Sequence, residues 1–134
     1  SKSTDIFWDN SNPLSLSSAL RNFDSLKITN SKKHLILGDM LDLGKHSKKL
    51  HLELSKIINL TSIDTVNVFG KYIRETYQNI NKKKKGVILK ETSQIIDLIK
   101  NNINNNDYLM IKGSNSTGLH KFTSSLKMRT RNVI

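Results

Sequence analysis

Short apolar runs alternate along this chain with segments of helical period, and that alternation constrains the fold more than any other feature. Ile6 to Trp8, Leu35 to Leu37, Val66 to Phe69, Val87 to Leu89 and Asp107 to Ile111 read as five short strands. Between them, Leu16, Ala19, Leu20 and Phe23 share one face of a helix beginning near Ser15, after the turn Asn10-Ser11-Asn12-Pro13. Leu50, Leu52, Leu54, Ile57 and Ile58 make a broad second stripe, and Tyr72, Ile73 and Tyr77 follow a turn at Gly70. Ile95, Ile96, Leu98 and Ile99 form the buried stripe of a helix started by Thr92, and His120 to Leu126 reads as a last helix. The expectation is an α/β domain with a mainly parallel sheet of about five to six strands and flanking helices.

The 134 residues, 36% of them hydrophobic, suffice for one core and not for two, so residues 1–134 are expected to form a single domain. The chain has no cysteine, which removes disulfides and thiolate metal sites and suits a reducing, cytoplasmic setting. No apolar run approaches the roughly 20 residues that cross a bilayer, so no membrane insertion is expected. A start at Ser1 rather than methionine suggests a fragment of something longer. The net charge of +11 would attract polyanions. The basic residues are nonetheless scattered, lysine far outnumbers arginine, and aromatic residues are too few to interleave as stacking platforms. No specific nucleic-acid partner is expected, and Lys82 to Lys85 reads as a solvated loop.

Chemistry is expected where strands end. Leu35 to Leu37 runs into Gly38-Asp39-Met40-Leu41-Asp42-Leu43-Gly44, two carboxylates bracketed by glycines at the carboxyl end of a buried strand. Two readings stand at this point: a binding loop, or a plain turn in which Asp39 or Asp42 caps the next helix. Right-handed crossovers would bring this loop onto the same rim as Asn10 to Pro13 and Lys112-Gly113-Ser114-Asn115-Ser116-Thr117-Gly118. The chain has no G-x-x-x-x-G-K-[ST] phosphate loop, no G-x-G-x-x-G and no G-x-S-x-G elbow. Its four histidines show no metal-ligand spacing, and His51 by itself reads as a partly exposed helix residue.

Taken together, Asn10-Ser11-Asn12-Pro13-Leu14-Ser15, Leu37 to Gly44 with His51 downstream, and Asp107-Tyr108-Leu109-Met110-Ile111-Lys112-Gly113-Ser114 resemble the C-terminal domain of Mur ligases. The likeness is to the D-alanyl-D-alanine-adding (MurF) type, and it covers nearly the whole chain. It implies a Rossmann-like three-layer sandwich. It also implies one domain of an ATP-dependent amide ligase of peptidoglycan synthesis, which joins D-alanyl-D-alanine to a UDP-N-acetylmuramoyl tripeptide through an acyl phosphate. ATP and Mg2+ would be held mainly by a central domain and the UDP-linked substrate by an N-terminal one. Neither is expected within this chain, which would be inert alone, with no catalytic residue or metal ligand of its own, and monomeric.

The resemblance further implies that Asn10, Asn12 and Pro13 face the nucleotide. Asp39, Met40 and Asp42 would line the dipeptide's side of the cleft, and Lys112, Gly113 and Ser114 would meet its carboxylate, with His51 supporting the loop from behind. Two departures stand out. Phe7-Trp8-Asp9 exchanges the family's acidic and aromatic positions, and Asn115 stands where arginine is common. They keep open a related ligase adding another amino acid, or an α/β binding module without catalysis.

Overall fold

A computed structural model describes residues 5–9, 16–27, 30–40, 47–113 and 129–132. The chain runs β1 (Asp5–Asp9), α1 (Leu16–Ser25), β2 (Lys33–Gly38), α2 (Ser47–Asn59), β3 (Thr65–Phe69), α3 (Arg74–Asn79), β4 (Lys85–Leu89), α4 (Thr92–Asn102), β5 (Tyr108–Lys112) and β6 (Arg129–Asn132). The strands form one sheet in the order β4-β3-β2-β5-β1-β6, and every pairing between neighbours is parallel. Five strands fall where the apolar runs placed them; β6 is polar throughout and carries no such signal. The helix expected at His120 to Leu126 lies outside the described residues.

Two apolar layers sandwich the sheet, as the period-two alternation of its strands dictates. Leu35 and Leu37 of β2, Val66 and Val68 of β3 and Met110 of β5 pack with Leu16, Leu20 and Phe23 of α1, Leu54 and Ile58 of α2, and Ile73 just before α3. Ile36, Leu109 and Ile111 point the other way, onto Ile95, Leu98 and Ile99 of α4. Each such side chain, fully buried, contributes about 1.5–3 kcal/mol against its exposed state. α4 opens on a capping box: the Gln94 side chain accepts from the Glu91 N–H at 3.0 Å while Glu91 caps the first turn.

Two polar insertions tune the β4 edge. Asn67, 3% exposed in β3, donates from Nδ2 to Leu35 O at 3.1 Å and accepts from Val87 N–H at 2.9 Å. Its side chain thereby replaces ladder bonds where the β3–β4 register slips between Val66 and Val68. Gly86 lies against that amide, which a Cβ would overlap. The lysine run is not the plain solvated loop expected. It forms a 3-10 turn over Lys82–Lys84, and Lys84 Nζ donates to Thr61 O at 2.8 Å and Ile63 O at 2.6 Å. Those carbonyls follow the end of α2, where a cation suits the helix dipole.

Candidate functional site at the carboxyl edge of the sheet

The strand order creates one place where connections diverge. From β2 the chain proceeds outward to β3 and then β4, whereas β5, seated beside β2, leads away toward β6. Parallel sheets bind ligands at such switch points, beyond the carboxyl ends of the strands. Leu37 pairs with Lys112, and Lys112 pairs with Asp9 on the other side, so β1, β2 and β5 end level with one another. This register brings Gly38-Asp39-Met40 and Lys112-Gly113 to one edge. Asn10, Asn12, Pro13, Asp42 and Ser114 lie outside the described residues.

Asp39 is 7% exposed, and both its oxygens are occupied. Oδ2 accepts from Lys71 N–H at 3.0 Å and Oδ1 from Ile73 N–H at 2.8 Å. The carboxylate thus seats the turn leading into α3, satisfying donors that the start of that helix leaves open. The fit excludes side chains at Gly70, whose φ is +137° and whose added Cβ would stand 2.5 Å from the Asp39 carboxylate. The turn signal at Gly70 was legible in the sequence; the Asp39 carboxylate as its seat was not.

Met40 follows with its side chain in the core at 2% exposure and its N–H directed at His51 Nε2, 3.3 Å away. Nε2 therefore accepts, which assigns the imidazole proton to Nδ1, and Nδ1 donates to Ser47 O at 2.7 Å. His51 is fully buried rather than partly exposed. Its position three and seven residues before Leu54 and Ile58 was the available signal, because that spacing puts it on the buried face of α2. The ring ties α2 to the segment leaving β2, and Thr76 Oγ1 ties α3 to the same turn by donating to His51 O at 2.5 Å.

Lys112 ends β5 at 2% exposure. Two residues beyond Met110, it lies on the sheet face that carries α1, α2 and α3. Among the described residues no group of three or more histidines, cysteines or carboxylates comes together to hold a metal ion. The described edge offers turns held by Asp39 and His51 and the buried Lys112. No helix among the described residues is long and apolar enough to cross a membrane.

This fold recurs in known proteins. The UDP-N-acetylmuramoyl-tripeptide--D-alanyl-D-alanine ligases of Bacillus subtilis and Rickettsia prowazekii are 29% and 31% identical over 120 and 115 residues, which is 87% and 84% of this chain. The matched stretch is 26% and 24% of those proteins, so the chain spans about a quarter of its curated relatives. Among solved structures, MurF ligase from Thermotoga maritima in complex with ADP superposes with a TM-score of 0.70 at 19% identity, covering 89% of this chain and 27% of that one. A MurF structure from Acinetobacter baumannii gives 0.71 at 20% identity, covering 94% and 29%. At that identity the likeness speaks for the fold, and it agrees with the Rossmann-like α/β sandwich described above. The match that decides family runs over residues 6–115, from β1 through β5 and a few residues beyond it, and by it the chain belongs to the Mur ligase, glutamate ligase domain family.

Proposed function

We propose that this chain is the amino-acid-receiving domain of an ATP-dependent ligase that joins D-alanyl-D-alanine to a UDP-N-acetylmuramoyl tripeptide in the cytoplasm. The observation that carries the reading is the juxtaposition at the switch point of the Asp39–Met40 turn and the Lys112–Gly113 strand end, in a chain whose curated relatives have that activity. ATP, with magnesium, supplies the activation of the tripeptide carboxyl group and is held by a domain other than this one. What this chain's residues supply is position. Holding an amine near an activated carbonyl removes much of the entropic barrier to their meeting.

In this reading Lys112 and the N–H groups of Gly113 and Ser114 receive the dipeptide carboxylate, since a lysine charge and turn amides both suit an anion. Asp42 orients the dipeptide's ammonium group. Asp39 and Met40 shape the wall beside it, Asp39 by holding the α3 turn and Met40 through the backbone that His51 fixes. Asn10, Asn12 and Pro13 form the loop facing the nucleotide, offering neutral hydrogen bonds.

The test is steady-state kinetics of the full-length ligase carrying Lys112→Ala, with thermal melting to establish that the variant is folded. The apparent KM for D-alanyl-D-alanine should rise by about tenfold or more while that for ATP changes less than about twofold. Equal effects on both substrates would remove Lys112 from the dipeptide site. Absence of dipeptide-dependent phosphate release by the wild-type protein would remove the ligase reading itself.

A further inference from the structure

Beside the edge, but facing outward, α2 and α3 enclose a cleft of about 580 Å³. Its lining includes Lys48, His51, Lys71, Tyr72, Arg74 and Glu75. Among the described residues that line it, three cations stand against one carboxylate, a surplus of two positive charges. Among the described residues, Lys48, Lys71 and Arg74 form no ion pair and no side-chain hydrogen bond. Their situation contrasts with Lys33 and Lys84, whose ammonium groups are spent on the carbonyls of Asp24, Thr61 and Ile63.

The cleft is also built rather than incidental. The 71–73 turn is held by the Asp39 carboxylate, and α3 is held to α2 by the Thr76–His51 bond, so the cations rise from a fixed frame. A ligand meeting them spends little on ordering the backbone. Tyr72 adds an aromatic surface that is 50% exposed, with Lys71 Nζ 5.7 Å from its ring centre. An exposed ring beside cations that carry no ion pair among the described residues suits an anion attached to a flat or apolar group, and the volume falls in the range of small-molecule sites.

The geometry points to a binding site for a diphosphate group, held by Lys71, Arg74 and Lys48, with Tyr72 against whatever the diphosphate is attached to. A diphosphate matches the surplus of two positive charges and the spread of three cations over two helices better than a single carboxylate does. The inference does not rest on the ligase reading, since every residue it uses lies in this chain.

Titration calorimetry and amide chemical shifts on that chain, at about 0.15 M salt to screen diffuse attraction, test it with inorganic phosphate, inorganic pyrophosphate and UDP. Pyrophosphate should bind saturably and at least about tenfold more tightly than phosphate, with shifts confined to residues 47–51 and 71–78. Lys71→Gln/Arg74→Gln should weaken it by about tenfold or more, and Lys82→Gln/Lys83→Gln by less than about twofold. Tighter binding of UDP, lost in Tyr72→Ala, would assign the site to a diphosphate ester; equal binding of UDP and pyrophosphate would assign it to the diphosphate alone. Equal weakening by both double variants, or shifts spread over all the lysines, would overturn the site and leave only the general charge of the chain.

Discussion

The two ends of the sheet spend their polar groups differently. At the amino end, His34 at the start of β2 lies between Thr65 Oγ1 at 2.6 Å and Asp107 Oδ2 at 2.8 Å, and Asp107 also accepts from the N–H groups of Lys32 at 3.0 Å and Asn104 at 2.9 Å. Beside it, Asp64 accepts from Lys33 N–H, Asp24 accepts from Ser62, and Lys33 Nζ reaches Asp24 O. This end closes upon itself. At the carboxyl end, Asp39 and His51 hold turns in place, and the cations of the outer cleft have no hydrogen-bond or ion-pair partner among the described residues. The comparison separates polar groups that fasten strands from polar groups that shape a surface for something else.

The largest effect should come from the amino end. Asp107→Ala leaves two backbone N–H groups and a buried imidazole without their acceptor, a loss of about 4 kcal/mol in chemical denaturation. Asp107 also gives that end an acid dependence. Burial works to raise its pKa, but the His34 hydrogen bond, the Asn104 and Lys32 N–H groups and the attraction of His34 outweigh burial and hold it below its ordinary value of 3.8. Between the lowered folded value and 3.8 the unfolded chain binds more protons, so stability rises with pH there. The contribution is complete above that interval and disappears as pH falls through the folded value. Asp107→Asn should therefore flatten the acid limb of a stability–pH profile, and an unchanged limb would show that other carboxylates set it.

Next in size is Asp39→Ala, at about 2–3 kcal/mol, because Lys71 N–H and Ile73 N–H lose a charged acceptor but no buried imidazole is stranded with them as at Asp107. Hydrogen exchange should localise the damage to residues 70–76. A global loss as large as that of Asp107→Ala would erase the distinction between the two ends. Gly86→Ala should follow at about 1–2 kcal/mol in thermal melts, from the displaced Asn67 amide and not from backbone strain.

The sequence conveyed the apolar architecture well, because short buried strands and helix stripes are local patterns. Leu35 to Leu37 and the α4 stripe needed no knowledge of their neighbours. What pairs across long separations was not legible. His34 meets Asp107 over 73 residues and Asp39 meets Ile73 over 34, and no spacing rule encodes such meetings. The same holds for Asn67, which lay within the Val66 to Phe69 strand without a role of its own and supplies the hydrogen bonds of a register slip. At the carboxyl edge the motif residues announced a loop, while the backbone donors that fix Asp39 in place could only come from the fold.

The smallest expected effect tests the comparison most directly. Lys84 and Lys71 are both lysines at the edges of short turns, and composition alone gives no reason to treat them differently. Lys84→Gln should cost about 1 kcal/mol, since its ammonium group holds two carbonyls together. Lys71→Gln/Arg74→Gln should change stability by less than about 0.5 kcal/mol, because neither side chain has a hydrogen-bond or ion-pair partner among the described residues and their mutual repulsion is relieved. A loss beyond about 1 kcal/mol in that double variant, measured by urea denaturation, would mean that the two cations fasten α3 as Lys84 fastens the lysine turn. The carboxyl-end cleft would then belong with the self-satisfied amino end, and its charges would not be available to a ligand.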